Sequence, residues 1–486
     1  MSRRGFAYLA VLSVAACLIC LPGARAGDVS HVRIVRLSYT LGDVQMSDGA
    51  SNWHKAIANT PLREGNSLET GDGRAEVEFE TGAMAWMASN TVLEFSGLAL
   101  EEGGKNTQLT VRQGTATFYV NPGRHDSFGV QAGKLMIAVQ ENARFRVDVF
   151  EDGAAVSAVR GSIVVTANGG AAQTIGHQTL ALRNDAPAGS VVSANPKSDG
   201  WDKWVSDRFT SVDEGKWRAT DYLNAPVGFG MADLSYYGGW FYVPGYGMAW
   251  QPYGMGLGWS PFYNGYWSSF GAFGPAWISY EPWGWLPYHY GGWIYSPGYG
   301  WVWGPGGFGP WSPATVFWTS SPAGIGWVPR APNETLNGTP TNLAHGMVMN
   351  TTAGMVAGSG NTILRGGSIA KAQMTGAWQG EADLSRIPQQ ERAQLGMGRP
   401  TLVPTKSVAN APKMPQGAAP RIASAGMYAG RVQIYRPPSL AHDAAGGSAA
   451  HAPEFSGSSA PGSPASPGAH SGVSSRASGG ESHGKP

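Results

Sequence analysis

The 486-residue sequence predicts a mainly β protein: an all-β domain, a short helical connector, an antiparallel aromatic hairpin-repeat domain and a disordered C-terminal tail. Three observations predict it. Residues 29–192 are short alternating runs separated by turn residues, and residues 226–332 repeat tryptophan at a fixed step. From 333 to 486 aromatic residues almost vanish, and Gly, Ala, Ser and Pro replace them.

The first 26 residues read as an export signal. Arg3 and Arg4 are its basic end, Gly5 to Leu21 its apolar stretch, and Ala24-Arg25-Ala26 a small-residue cleavage site. Cys17 and Cys20 both fall inside it, so a chain cleaved after Ala26 has no disulfide and no thiolate metal site. Val14-Ala15-Ala16-Cys17 also resembles a lipoprotein cleavage box, and an uncleaved anchor is a third reading. Beyond the signal no stretch reaches the roughly 20 apolar residues of a membrane helix. The expected location is the periplasm or surface of a bacterium, with no integral membrane domain after cleavage.

In the all-β domain, Glu76-Val77-Glu78-Phe79-Glu80 and Arg144-Phe145-Arg146-Val147-Asp148-Val149 alternate as half-buried strands should. Further strands are expected at Val32–Leu37, Thr91–Phe95, Gln108–Val111, Leu135–Val139 and Ile163–Thr166. Gly71-Asp72-Gly73, Gly103-Gly104, Asn121-Pro122-Gly123 and Asp152-Gly153 supply the turns. The spacing of Gly71, Gly73, Gly114 and Gly161 fits no phosphate loop, and His54, His125 and His177 are too scattered for a metal site.

Gly42-Asp43-Val44, Trp53, Pro61-Leu62, Gly65-Asn66-Ser67-Leu68 and Gly73 to Phe79 resemble the opening of a FecR-type domain. Ala143 to Val147 and Val159 to Val165 are similar to that family's closing strands. The resemblance spans most of 38–166. It implies a stacked, solenoid-like periplasmic β structure, and, in the family, a signalling relay from an outer-membrane transporter to a sigma factor. Only four residues precede the apolar stretch here, so no sigma-binding segment is expected and a binding or assembly role is. Fold resemblance alone does not fix function.

The connector, 197–225, places Trp201, Trp204, Val205, Arg208 and Phe209 at helical spacing, with Asp199 as the cap. The aromatic domain, 226–332, holds thirteen of the nineteen tryptophans. Trp259-Ser260-Pro261, Trp285-Leu286-Pro287 and Trp311-Ser312-Pro313 recur every 26 residues. Trp240, Trp267 and Trp293, like Trp250, Trp277 and Trp303, follow with steps of 27 and 26. Such a period marks one repeated supersecondary unit. Three hairpins in a compact antiparallel meander or a small quasi-symmetric sheet are expected, their strands ended by Pro261, Pro287 and Pro313, since proline cannot donate to a ladder. Glu281-Pro282-Trp283-Gly284-Trp285-Leu286-Pro287-Tyr288-His289-Tyr290 also resembles bacterial exported proteins of uncharacterised function that pair a FecR-like domain with Trp/Tyr/Pro/Gly-rich repeats.

Across 226–332 the only charged or histidine side chains are Asp233, Glu281, His289 and Arg330, a poor set for proton transfer. Glu281 and His289 are expected to be at most a hydrogen-bonded pair, with no second carboxylate to form a glycosidase site. The sequence therefore points to a non-enzymatic envelope protein with no cofactor or metal, binding or scaffolding another envelope protein. Most of the repeat rings are expected to form a core in place of aliphatic residues; the alternatives are a glycan binder, with Trp240, Trp267, Trp293, Tyr246 and Tyr299 as stacking platforms, and an extracytoplasmic signalling component. A net charge of +1 without a basic stripe excludes a dedicated nucleic-acid surface. The tail cannot bury enough apolar surface to offset its entropy, apart from a strand-like island at Arg431–Pro438.

Overall fold

The computed structural model describes residues 33–49, 53–101, 103–185, 189–223, 229–255, 259–270, 273–307, 310–321, 324–335, 338–346, 348–351, 370–371, 409–416 and 420–422. The export signal and the Arg431–Pro438 island lie outside the described residues.

Residues 35–194 form two sheets. The first contains Val44–Ser47, Trp53–Lys55, Ser67–Thr70, Thr91–Glu101, Ser127–Ala132, Leu135–Val139, Ser162–Ala167 and Ala172–Gly176. The second contains Val35–Leu41, Pro61–Leu62, Arg74–Phe79, Met84–Met87, Ala143–Phe150, Gly153–Arg160, Gln178–Arg183 and Val191–Ala194. Gly104–Val120 belongs to both. Its first part pairs with Thr91–Glu101 and, in parallel, with Ser127–Ala132; its second part pairs with Met84–Met87 and Ala143–Phe150. Gly114 makes the passage at φ +88°, where a Cβ would come within 2.4 Å of the Asn90 carbonyl. The chain crosses repeatedly between the sheets, giving the stacked, mainly β architecture that the sequence predicts.

The alternating strands turn Val77, Phe79, Phe145, Val147 and Val149 inward, and these join residues of the first sheet in one aliphatic and phenylalanine core. The outer face of the second sheet departs from expectation. Alternation there predicts exposed acids and bases, yet Arg36, Glu76, Glu78, Arg146 and Asp148 are all buried. A second layer covers them, so these strands are buried on both faces.

Helix α1, Gly200–Thr220, supplies part of that layer and is longer than the expected short connector. Asp199 accepts from the Asp202 amide and Asp202 accepts from the Asp199 amide, a capping box that satisfies two free donors of the first turn. Trp201, Trp204, Val205 and Val212 face Tyr39 and Trp86 on the sheet. The Trp201 indole donates to Thr117 at 2.9 Å. Arg208 keeps its place on this face by pairing with a carboxylate of the sheet.

The aromatic region contains four hairpins. Each has a tryptophan pair directly across its strands: Trp240 with Trp250, Trp267 with Trp277, Trp293 with Trp303 and Trp318 with Trp327. The fourth, Val316–Ser321 with Gly324–Pro329, escapes the repeat because Trp318 and Trp327 follow Trp293 and Trp303 at steps of 25 and 24 rather than 26. The hairpins do not form one meander. The first and third join into a four-stranded sheet through Trp250 and Trp303, the second stands alone, and the fourth pairs with Val348–Thr351. Pro287 sits within the short helix Trp285–His289 rather than ending a strand. A buried indole removes on the order of 200 Å² from water, an upper figure of about 5 kcal/mol, which lets rings replace an aliphatic interior.

Candidate functional site

The outer face of the second sheet meets α1 and the aromatic region at a buried ionic junction. Arg36, on Val35–Leu41, donates to Glu78 at 3.1 Å, to the Asn59 side chain at 2.8 Å and to Asp233. Asp233 lies on Met231–Tyr237, a short helix at the start of the aromatic region. Glu78 also accepts the Gly230 amide at 2.9 Å, and Asn59 donates to the Glu281 carbonyl at 2.7 Å. The Arg36 guanidinium lies 5.7 Å from the Trp285 ring centroid. Arg36, with Glu78 and Asn59, thus holds two segments of the aromatic region, one at Gly230 to Asp233 and one at Glu281 to Trp285.

Beside it, Glu76 accepts two bonds of 2.9 Å from Arg208, one of 2.8 Å from the Trp86 indole and one of 2.9 Å from Ser38. Bidentate arginine pairing of this kind is strong and fixes orientation. Burial pushes the Glu76 carboxyl up, but Arg208, Ser38 and Trp86 together hold it below the usual range. Asp233 behaves oppositely. Burial raises it, Glu78 adds to the rise, and Arg36 only partly offsets them, leaving it at about 6. Two arginines face three carboxylates here, so the junction has one acid in excess when all are ionised.

A cavity of about 210 Å³ opens at this junction, lined by Tyr39, Arg208, Asp233, Tyr236, Tyr237 and Pro282 among others. Burial also raises the Tyr237 phenol. Phenols, a guanidinium and a carboxylate able to take a proton near neutrality can bind a small polar or cationic molecule. Among the described residues no cluster of His, Cys, Asp and Glu is arranged to hold a metal ion.

The five residues expected to stack ligands fall into two groups. Trp267 and Trp293 are buried, because cross-strand pairing with Trp277 and Trp303 turns both into the aromatic core. Neither presents a free ring face. Trp240 is half-buried, its ring stacked on Tyr222 at 5.2 Å. Tyr246 and Tyr299 are exposed, with Tyr299 stacked on Phe241. Glu281 and His289 are buried with separate partners. Glu281 accepts from Trp259, Ser279 and Tyr288, and burial raises its carboxyl despite them. The His289 Nδ1 meets the Ser312 carbonyl, and burial lowers its ring to about 4. The junction residues were missed because Arg36, Glu76 and Glu78 read as a solvated face. Only the isolated Asp233, in a region almost without charge, signalled a partner.

Residues 66–164 match the FecR protein family, and residues 231–334 match DUF6600, a family of unknown function. The chain joins a FecR domain to a DUF6600 domain. The ionic junction is where the two meet: the FecR domain supplies Glu76 and Glu78, and the DUF6600 domain supplies Asp233. No curated protein matches the chain. Two solved structures of a candidate anti-sigma factor from Parabacteroides distasonis, at 1.65 and 2.50 Å resolution, are similar at 15% and 14% identity. They cover 29% and 30% of this chain, and 64% and 71% of their own, with TM-scores of 0.23 and 0.24. The chain therefore spans less than two thirds of the first of these structures. Among the described residues no helix is long and apolar enough to cross a membrane.

Proposed function

We propose that this chain is an exported, non-enzymatic FecR-like component of extracytoplasmic signalling, which senses a partner or ligand through the joined FecR and DUF6600 domains. The observation that carries this reading is the Arg36 junction, which ties the two domains together beside a cavity. A shift in either domain must then move the other, as a relay requires. The FecR family match supports the signalling class.

Transcript profiling tests it. A chromosomal deletion should shift a defined set of transcripts, restored by the wild-type chain and not by an Arg36→Met chain present at equal level. An unchanged profile with altered envelope integrity would sink signalling and leave scaffolding of an envelope assembly. Fractionation with mass measurement tests export: recovery in the envelope fraction is the expected result, and loss of 26 residues would count against a signalling relay and for scaffolding.

A second reading, glycan binding, rests on a specific surface. Tyr242, Tyr246, Tyr253, Tyr295 and Tyr299 of the DUF6600 domain are all exposed. Exposed aromatic rings offer faces on which a sugar ring can stack. Titration with peptidoglycan and polysaccharide fragments should then change tyrosine and tryptophan emission, and a flat response would exclude it.

A further inference from the structure

The tail does not behave throughout as the low-complexity spacer that its composition predicts. Residues 409–416 and 420–422 lie along the FecR domain as an extended strap, on the same outer face that carries the ionic junction. The domain grips the strap mainly by its backbone. The Glu151 amide donates to the Pro412 carbonyl at 3.1 Å, and the Met414 amide donates to Asp152 at 2.6 Å. Arg183 donates to the Met414 and Pro415 carbonyls at 2.8 and 2.7 Å. Farther along, Arg146 donates to the Ile422 carbonyl at 2.9 Å, and the Ile422 amide meets Asp148 at 3.3 Å.

Three strap side chains meet the domain individually: Met414, Arg421 and Ile422, the last half-buried against the same apolar cluster as Met414. Met414 is 5% exposed and fills a hole walled by Phe150, Ala155 and Ala181. Gly153 lies beside it: a Cβ there would come within 2.4 Å of the Leu182 carbonyl and 2.7 Å of the Met414 methyl. Arg421 pairs with Asp202 of the α1 capping box. Arg146 and Asp148 are themselves fully buried, so the grip on Ile422 is built into the domain, whereas Arg183 and Asp152, which hold Met414 and Pro415, are partly exposed.

This is the chemistry of a peptide-receiving site: fixed donors and acceptors for an extended backbone, one apolar hole and one acidic end. Proline at 412 and 415 lowers the ordering cost of an extended ligand. We infer that this face of the FecR domain receives an extended, proline-flanked peptide bearing an unbranched apolar side chain followed by a basic one. Residues 409–416 and 420–422 are its resident occupant in cis. A partner segment of the same chemistry gains access by displacing the strap, so the strap sets a threshold for partner binding.

The test uses the full chain and a fluorescent peptide with the sequence of residues 408–423. A Met414→Asp/Arg421→Glu chain, checked for unchanged near-ultraviolet circular dichroism, should bind the peptide on the order of tenfold more tightly than wild type. That factor reflects removal of a tethered competitor. Adding Arg183→Ala, at a partly exposed position, should weaken the regained binding, because two backbone carbonyls lose their donor. Equal binding to wild type and variant, or binding to neither, overturns the inference, as does indifference to Arg183→Ala. If wild type forms concentration-dependent dimers that Met414→Asp/Arg421→Glu abolishes, the strap docks on a second copy and the cis assignment fails.

Discussion

The FecR domain and the DUF6600 domain solve the same problem with different side chains. The FecR core is aliphatic and phenylalanine-rich, with none of the nineteen tryptophans in its central cluster. The DUF6600 core contains Trp250, Trp267, Trp277, Trp283, Trp285, Trp293, Trp301, Trp303 and Trp327 in one cluster. Aliphatic packing has only shape to satisfy. Indole packing has shape and one N–H per ring, and here the two strands of a hairpin divide that burden. The later tryptophan donates to a backbone carbonyl in three hairpins: Trp250 to Leu234, Trp303 to Tyr290 and Trp327 to Phe262. The indole N–H groups of Trp240 and Trp293 have no acceptor among the described residues, and in the second hairpin neither Trp267 nor Trp277 has one.

The largest expected effects come from emptying either core. Phe145→Ala and Trp293→Ala should each cost about 3–5 kcal/mol, read by denaturant unfolding. If the domains are one cooperative body, both variants unfold in a single transition. Two separated transitions would instead show that the cores melt independently. Arg36→Met should cost a similar 3–5 kcal/mol, because it leaves Glu78 and Asp233 buried without their cation. Replacing Arg36 and Glu78 together by Met and Gln should recover part of that loss.

A finer contrast lies within one hairpin. Trp303→Phe should destabilise by about 1 kcal/mol more than Trp293→Phe, since only the former strips a donor from a buried carbonyl. Equal losses would mean that ring volume alone decides.

Acid titration separates the junction from the aromatic core. Asp233 is raised to about 6 from its ordinary 3.8, so its protonated form favours the fold. That contribution is complete below the ordinary value and is lost as pH rises through about 6. His289 is lowered to about 4 from 6.5, so its neutral form favours the fold, and its contribution is lost as pH falls through about 4. The two oppose each other across pH 4–6. Asp233→Asn should steepen the loss of stability toward acid, and His289→Gln should flatten or reverse it. The smallest effect belongs to the exposed Lys203–Asp207 pair on α1: Lys203→Ala should change stability by less than about 0.5 kcal/mol.

Much of this architecture is legible in the chain because a side-chain pattern carries it. Alternation marks the strands, Asp199 marks the start of α1, and the tryptophan step marks hairpins whose registers pair equivalent rings. What stays hidden depends on what covers a face. Glu76 and Glu78 look solvated until a second layer lies on them. Trp267 and Trp293 look like platforms until their neighbours close over them. The strap is hidden for a different reason: its grip is mostly on backbone atoms, which every sequence possesses, and only Met414, Arg421 and Ile422 distinguish it from a spacer. The exposure of Tyr246 and Tyr299 follows from their turns, Pro244 to Gly247 and Pro297 to Gly300, which project beyond the paired strands.

Gly104–Val120 has a consequence for how this protein can be taken apart. Because that one 17-residue strand hydrogen-bonds in both sheets, no cut in the chain yields two halves that each keep a complete sheet. A boundary drawn near Gly114 would strand half the ladder partners of each fragment. Shuffling and expression of pieces must take residues 35–194 whole, and inheritance by recombination faces the same indivisible unit.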